Sequence, residues 1–79
     1  MEQTSTIIST KNVKQASLHI HDEGGRIEIV YKGESMPTIL GYNNKDEDEI
    51  NFYEQKYRQA YQIIQQAILE GKEYVTLVL

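Results

Sequence analysis

Cysteine is missing from all 79 residues, which rules out disulfide staples and thiolate metal sites, two devices by which small domains hold themselves together. A chain this short buries only about 60% of the surface that its unfolded form exposes, so stability has to come from packing or from assembly. Long apolar runs are missing too, and the N-terminus has no basic segment followed by an apolar one. Neither a transmembrane helix nor a signal peptide is expected, and the expected location is the cytoplasm, with no membrane partner. A basic surplus is also lacking: eight Lys and Arg stand against twelve Asp and Glu, for a net charge of −4. Nucleic-acid binding, which draws affinity from clustered cations on phosphates, is disfavoured by that balance. Catalytic and ligand motifs are likewise absent. Gly24-Gly25 lacks phosphate-loop spacing, and Asp46-x-Asp48 lacks the glycine and terminal glutamate of a calcium loop. No Ser or Lys is positioned as a nucleophile, so neither a cofactor nor an enzymatic activity is expected.

What is present is an ordinary soluble balance, 39% hydrophobic and 25% charged, which implies one folded domain over residues 1–79. The charge is unevenly placed. Lys11, Lys14, Arg26, Lys32 and Lys45 balance Glu2, Asp22, Glu23, Glu28 and Glu34, so the acidic surplus lies wholly in residues 46–79, much of it in the run Asp46-Glu47-Asp48-Glu49.

Between Gln15 and Lys32 the chain alternates with a period of two, with Ala16, Leu18, Ile20, Ile27, Ile29 and Tyr31 on one face. Asp22-Glu23-Gly24-Gly25 reads as the loop of a hairpin. Pairing His21 with Arg26 sets Ile20 opposite Ile27, Leu18 opposite Ile29, Ala16 opposite Tyr31 and His19 opposite Glu28. Gly33-Glu34 offers a second turn, after which Met36 to Leu40 forms a third strand limited to an edge by Pro37, which has no amide donor. Upstream, Thr4 to Thr10 suits a strand, turned by Lys11-Asn12 back toward Gln15. Residues 41–45, Gly-Tyr-Asn-Asn-Lys, read as a loop.

The strongest periodicity follows. Ile50, Tyr53, Tyr57, Ala60, Ile64 and Ala67 recur every three or four residues, which predicts one amphipathic helix over about residues 46–70. Asp46 with Glu49 has the form of a capping box, and Gly71 that of a left-handed C-terminal cap. Tyr74 to Leu79 is apolar on both faces, which suits a central strand or a subunit interface. The expected architecture is α+β: a small two-layer sandwich in which an antiparallel sheet of four to five strands, from the N-terminal hairpins and the C-terminal strand, packs on the helix.

Two clusters are candidates for function. Capping needs one or two of the four acidic residues Asp46, Glu47, Asp48 and Glu49, which leaves charge over for a basic partner. Phe52, Tyr53 and Tyr61 lie near or beyond them on the same helix, and aromatics of this kind favour interfaces. The expected function is that of a small acidic, non-enzymatic protein that binds another protein with a basic surface. The alternative site is His19, His21 and Glu28, an imidazole and carboxylate set adequate for zinc or a small ligand, whose plainer role is the solvent face of the hairpin.

The order of strand, Gly turn, strand, short strand, acidic-started helix and strand is loosely similar to HicB-type antitoxins, with Gly41-Tyr42 ahead of residues 46–68 resembling their turn into the helix. That resemblance implies an antitoxin-like regulator. The Pro-Asp-Leu-Pro-Gly stretch of that family has no counterpart between Met36 and Gly41, so no family is assigned. Small size, acidity and absence of cysteine also resemble the character of phage-borne inhibitors, anti-restriction and anti-CRISPR proteins among them. A homodimer is expected, burying either the strand Tyr74 to Leu79 or the aromatic helix face against its symmetry mate.

Overall fold

The computed structural model describes residues 5–43 and 46–79. Five antiparallel strands pack with one long helix, the expected α+β arrangement, and the strands divide into two sheets. The elements are β1 (Ser5–Ser9), β2 (Val13–His21), β3 (Gly24–Tyr31), β4 (Thr38–Asn43), α1 (Glu47–Leu69) and β5 (Tyr74–Val78). One sheet has the order β2-β3-β4 and the other pairs β1 with β5. Among the described residues no helix is long and apolar enough to cross a membrane.

The hairpin of β2 and β3 forms, two residues out of the expected register. His21 stands opposite Gly24, Ile20 opposite Gly25, Leu18 opposite Ile27 and Ala16 opposite Ile29, leaving Asp22 and Glu23 alone in the turn. A slip of two preserves which face each side chain takes, so the apolar alternation is satisfied equally in both registers. The glycine pair decides between them. Gly24 and Gly25 are buried strand residues paired with Asn43 and Tyr42 of β4. A Cβ on Gly24 would collide with the Tyr42 carbonyl oxygen and stand 2.8 Å from Asn43 Cα, and one on Gly25 would stand 3.1 Å from the Tyr42 ring. These glycines admit Tyr42; they do not make the turn.

Two further expectations are corrected. The third strand starts at Thr38 and takes in Gly41, Tyr42 and Asn43, which the sequence reading placed in a loop. Leu40 and Tyr42 face inward while Ile39, Gly41 and Asn43 face out, so the period-two pattern continues through the glycine. The N-terminal strand turns at Lys11 and Asn12, where Asn12 has φ 62°, yet it pairs with β5 and not with β2. Its register puts Thr6 opposite Leu77 and Ile8 opposite Val75. Thr10 locks the junction, its N–H donating to the Glu73 carbonyl (2.9 Å) and its hydroxyl to that of Lys72 (2.6 Å). Thr4, Asn44 and Lys45 lie outside the described residues.

The helix forms nearly as read. Tyr57, Ala60, Ile64 and Ala67, spaced three, four and three apart, are its buried stripe. Gly71 (φ 74°) closes it: the Lys72 N–H donates to Ala67 and the Gly71 N–H to Ile68, the paired bonds of a Schellman motif. The capping box does not form, because Asp46 occupies the N-cap without a side-chain hydrogen bond. The core joins both sheets to the helix through Ile27, Ile29, Ile64 and Leu77, all fully buried, together with Ile8 and Tyr57. Burial of each large aliphatic side chain is worth about 1.5–3 kcal/mol. Among the described residues β5 is paired on one side only, by β1, so its apolar sequence does not place it centrally. Its inner residue Leu77 is buried, while Tyr74 and Val78 are exposed.

Candidate protein-binding site at the start of the helix

Asp46 is extended (φ −66°, ψ 160°), and its carbonyl accepts the Ile50 N–H at 2.8 Å to open the helix. Glu47, Asp48 and Glu49 fill the first turn, where the positive end of the helix dipole tolerates carboxylates. All four side chains are exposed, and none makes a hydrogen bond or ion pair among the described residues. Their charge is therefore directed at solvent.

Immediately C-terminal begins a ladder of rings. Phe52, 60% exposed, meets Tyr53 edge-on at 5.5 Å, with the Lys56 ammonium 5.1 Å from its ring centre. Tyr53 stacks on Tyr42 at 5.6 Å, and Tyr42 is tilted against Tyr57 at 4.8 Å. The ladder thus runs from an exposed phenyl at the acidic end to buried phenols. Tyr57 donates its hydroxyl to the Gly41 carbonyl at 3.1 Å, tying α1 to β4. Burial pushes its phenol above the ordinary value, with the Tyr53 and Tyr42 phenols adding to the shift. Tyr42 is raised by burial first and by Glu54 second, while Arg58 opposes. Its hydroxyl is buried and has no hydrogen-bond partner among the described residues. A cleft of about 470 Å³ opens beside these rings, lined by Thr6, Leu40, Tyr42, Tyr53, Tyr57 and Leu79.

Of the residues singled out from sequence, Asp46, Glu47, Asp48, Glu49, Phe52 and Tyr53 share this end of the molecule. Tyr61 does not. It lies more than two turns further along, where its hydroxyl donates to the Ala16 carbonyl (3.1 Å) and receives the Gln65 amide (2.6 Å), so it latches the helix to β2. Tyr42 was missed. The signal for it was the alternation of large apolar and other residues over Leu40, Gly41, Tyr42 and Asn43, masked by the loop-forming reputation of Gly and Asn.

On the opposite sheet face, His19 stands across from Arg26, with Ser17 across from Glu28. The expected His19–Glu28 contact still forms, diagonally, at 3.2 Å. Glu28 is shared, because Arg26 Nε also reaches it at 3.1 Å, and Ser17 Oγ lies 3.1 Å from the same His19 nitrogen. A carboxylate held by a guanidinium is a poor metal ligand. His21 sits at the hairpin end, and no group of three or more His, Asp or Glu suited to a metal occurs among the described residues.

The chain matches no family model, none of the curated proteins and no solved structure.

Proposed function

We propose that this protein is a non-enzymatic protein-binding module that engages a basic surface of another protein through Asp46, Glu47, Asp48 and Glu49, with Phe52 and Tyr53 as the apolar contact beside them. The observation that carries this reading is the unspent charge: four carboxylates in one helical turn, free of any capping bond or ion pair among the described residues, next to an exposed phenyl ring. A basic partner is attracted by the field, which speeds encounter, and the ring supplies apolar area on contact. Action is by occupancy, which suits a cytoplasmic inhibitor or adaptor of the kind that mobile elements carry.

The test uses the protein with Asp46→Asn, Glu47→Gln, Asp48→Asn and Glu49→Gln combined. The exposure of these side chains lets the variant keep its fold, read by circular dichroism. Quantitative affinity capture from the native host, wild type beside variant, is expected to show basic proteins held by the wild type, released by salt and lost by the variant. Identical capture by both refutes the reading.

A second property is favoured by β5. Its edge away from β1 is unpaired among the described residues, and Tyr74 and Val78 are exposed on its outer face. An open apolar edge is a template for pairing. Two copies joined edge to edge through β5 across a two-fold axis would cover it and continue the β1-β5 ribbon into four strands.

A further inference from the structure

Among the described residues β1 and β4 each have one unpaired edge, and the two edges border the same clefts. The Tyr42 carbonyl faces β3, against Gly24. In an antiparallel ladder successive residues point alternately at the partner and away, so Ile39, Gly41 and Asn43 direct their N–H and C=O groups to the free side of β4. Likewise the Thr10 N–H joins Glu73, in phase with Ile8 and Thr6, which leaves Ser5, Ile7 and Ser9 directed away from β5. Between these edges runs a groove. One part, about 470 Å³, has walls from Thr6 and residues 39–43; the next, about 570 Å³, has walls from residues 7–9 and Thr38. Thr6 thus shares its part with the later residues of β4, 39–43, and residues 7–9 share theirs with the first, Thr38, so the two walls run in opposite directions. Tyr53, Tyr57 and Leu79 line the first part, and Tyr31 the second. Two carbonyls at the groove are taken by phenols, Gly41 by Tyr57 and Ser9 by Tyr31 (2.8 Å). Ile7 (69% exposed) and Ile39 (55% exposed) flank it on the outer face.

We propose that this groove receives one extended segment of a partner polypeptide, about five or six residues long to match β4 and β1, which adds as a strand between the two sheets and carries Lys or Arg at the end nearest α1. The backbone edges supply hydrogen bonds, the inner wall of Tyr53, Tyr57 and Leu79 accepts alternate apolar side chains, and Ile7 and Ile39 cover the outer face. The basic end follows from charge. Asn43 and Tyr53 line the groove mouth, and Glu49, one turn before Tyr53, shares its side of the helix with Asp46 close behind. The segment therefore rests on the same acidic run as the function proposed above, and it identifies the partner as an unstructured basic stretch rather than a folded surface.

The experiment selects random octapeptides displayed on phage against the full-length protein. The enriched sequence is then synthesised with a fluorophore for anisotropy and used unlabelled for amide hydrogen exchange by NMR. Expected are sequences that alternate apolar and polar residues with Lys or Arg toward one end, and slowed exchange at Ile7, Ile39, Gly41 and Asn43 in the complex. Ile7→Lys combined with Ile39→Lys, both exposed positions, is expected to weaken binding about tenfold or more by removing the apolar cover of the outer face and setting charged side chains on both edges. Failure to enrich any peptide, or enrichment of peptides that leave those four amides unprotected, overturns the groove. Binding lost in the variant neutralised at residues 46–49 while the groove amides stay unprotected overturns the groove and leaves the acidic surface reading standing. Protected groove amides with unchanged affinity in that variant overturn the basic occupant and the acidic reading together.

Discussion

Replacing Tyr42 with Phe should stabilise the protein, which is the reverse of most core substitutions. Tyr42 is 7% exposed and its ring is wedged among Tyr53, Tyr57 and Gly25, so Phe keeps its packing. Its hydroxyl is fully covered and has no hydrogen-bond partner among the described residues. A buried donor left unsatisfied costs about 1–3 kcal/mol, and removing it recovers the lower part of that range, about 1 kcal/mol. For a chain of this size 1 kcal/mol moves the melting temperature by about 4–8 °C. Tyr57→Phe supplies the contrast, because it deletes the bond to the Gly41 carbonyl and should lose about 0.5–1.5 kcal/mol. Two phenols whose ring centres are 4.8 Å apart thus give opposite signs.

The pH dependence sharpens the test. Burial, with Glu54 second, raises the folded Tyr42 pKa above the unfolded value of about 10. Between the two values the folded protein holds a proton that the unfolded chain has released. Stability is therefore unaffected by this group below about pH 10 and falls above it, by no more than about 1.4 kcal/mol per pH unit. Tyr57 and Tyr31 are raised as well, Tyr31 by burial and then by Glu34, so the wild type should lose stability in alkali and the Tyr42→Phe margin should widen there. Urea unfolding followed by circular dichroism, at about pH 8 and again at about pH 11, reads both effects. A loss of about 1 kcal/mol or more in Tyr42→Phe at the lower pH would refute the reasoning, since it would mean that the hydroxyl has a partner.

The glycines separate by mechanism. Gly24→Ala should be the most damaging, because its Cβ meets β4 backbone, and Gly33→Ala, with φ 83° and nothing within 4 Å, should lose only the conformational term of about 1–2 kcal/mol. Gly71→Ala carries a similar cost at the helix terminus, and thermal melts rank all three. Thr10→Val removes the hydroxyl bond to Lys72 and should lose about 1 kcal/mol by urea unfolding, a change that rules the bond out as a clasp if it is absent. Light scattering across dilution should give about twice the chain mass of 9.2 kDa, falling to one chain in Val78→Lys. A single-chain mass at every concentration refutes the dimer. Leu77, being buried, would only unfold if charged.

Much of the fold was legible because local rules and tertiary demands agree. The helix declared itself through a stripe that must be apolar and termini that must be capped, and its observed limits lie within a residue of the expected ones. The hairpin likewise followed from alternation. What alternation leaves open is a slip by two, and the residue that resolves it, Tyr42, comes from a strand seventeen positions after Gly25. The pairing of β1 with β5 was hidden for a similar reason. Lys11-Asn12 signals a reversal, but a reversal can lead into a different sheet, and the bonds from Thr10 to Lys72 and Glu73 join residues at opposite ends of the chain.

The candidate site was half legible on the same grounds. Exposed charge follows from sequence, so Asp46 to Glu49 could be singled out, and with them Phe52 and Tyr53. Tyr61 looked equivalent to Phe52 by residue type and by position on the same helix, and it differs because β2 lies within reach of its hydroxyl. The absence of a capping bond bears directly on the proposed function. Had Asp46 or Glu49 folded back on the first turn, part of the run would be explained by helix stability, and a basic partner would meet fewer free carboxylates. With none so engaged, the dipole alone accounts for their local tolerance at about 0.3–1 kcal/mol each, and their mutual repulsion within one turn works against it. A charged segment docked against them relieves that repulsion, so binding and helix stability should rise together. Helix amide exchange near residues 50–53 should therefore slow when a basic ligand binds, and acceleration there would mean that the carboxylates face away from it.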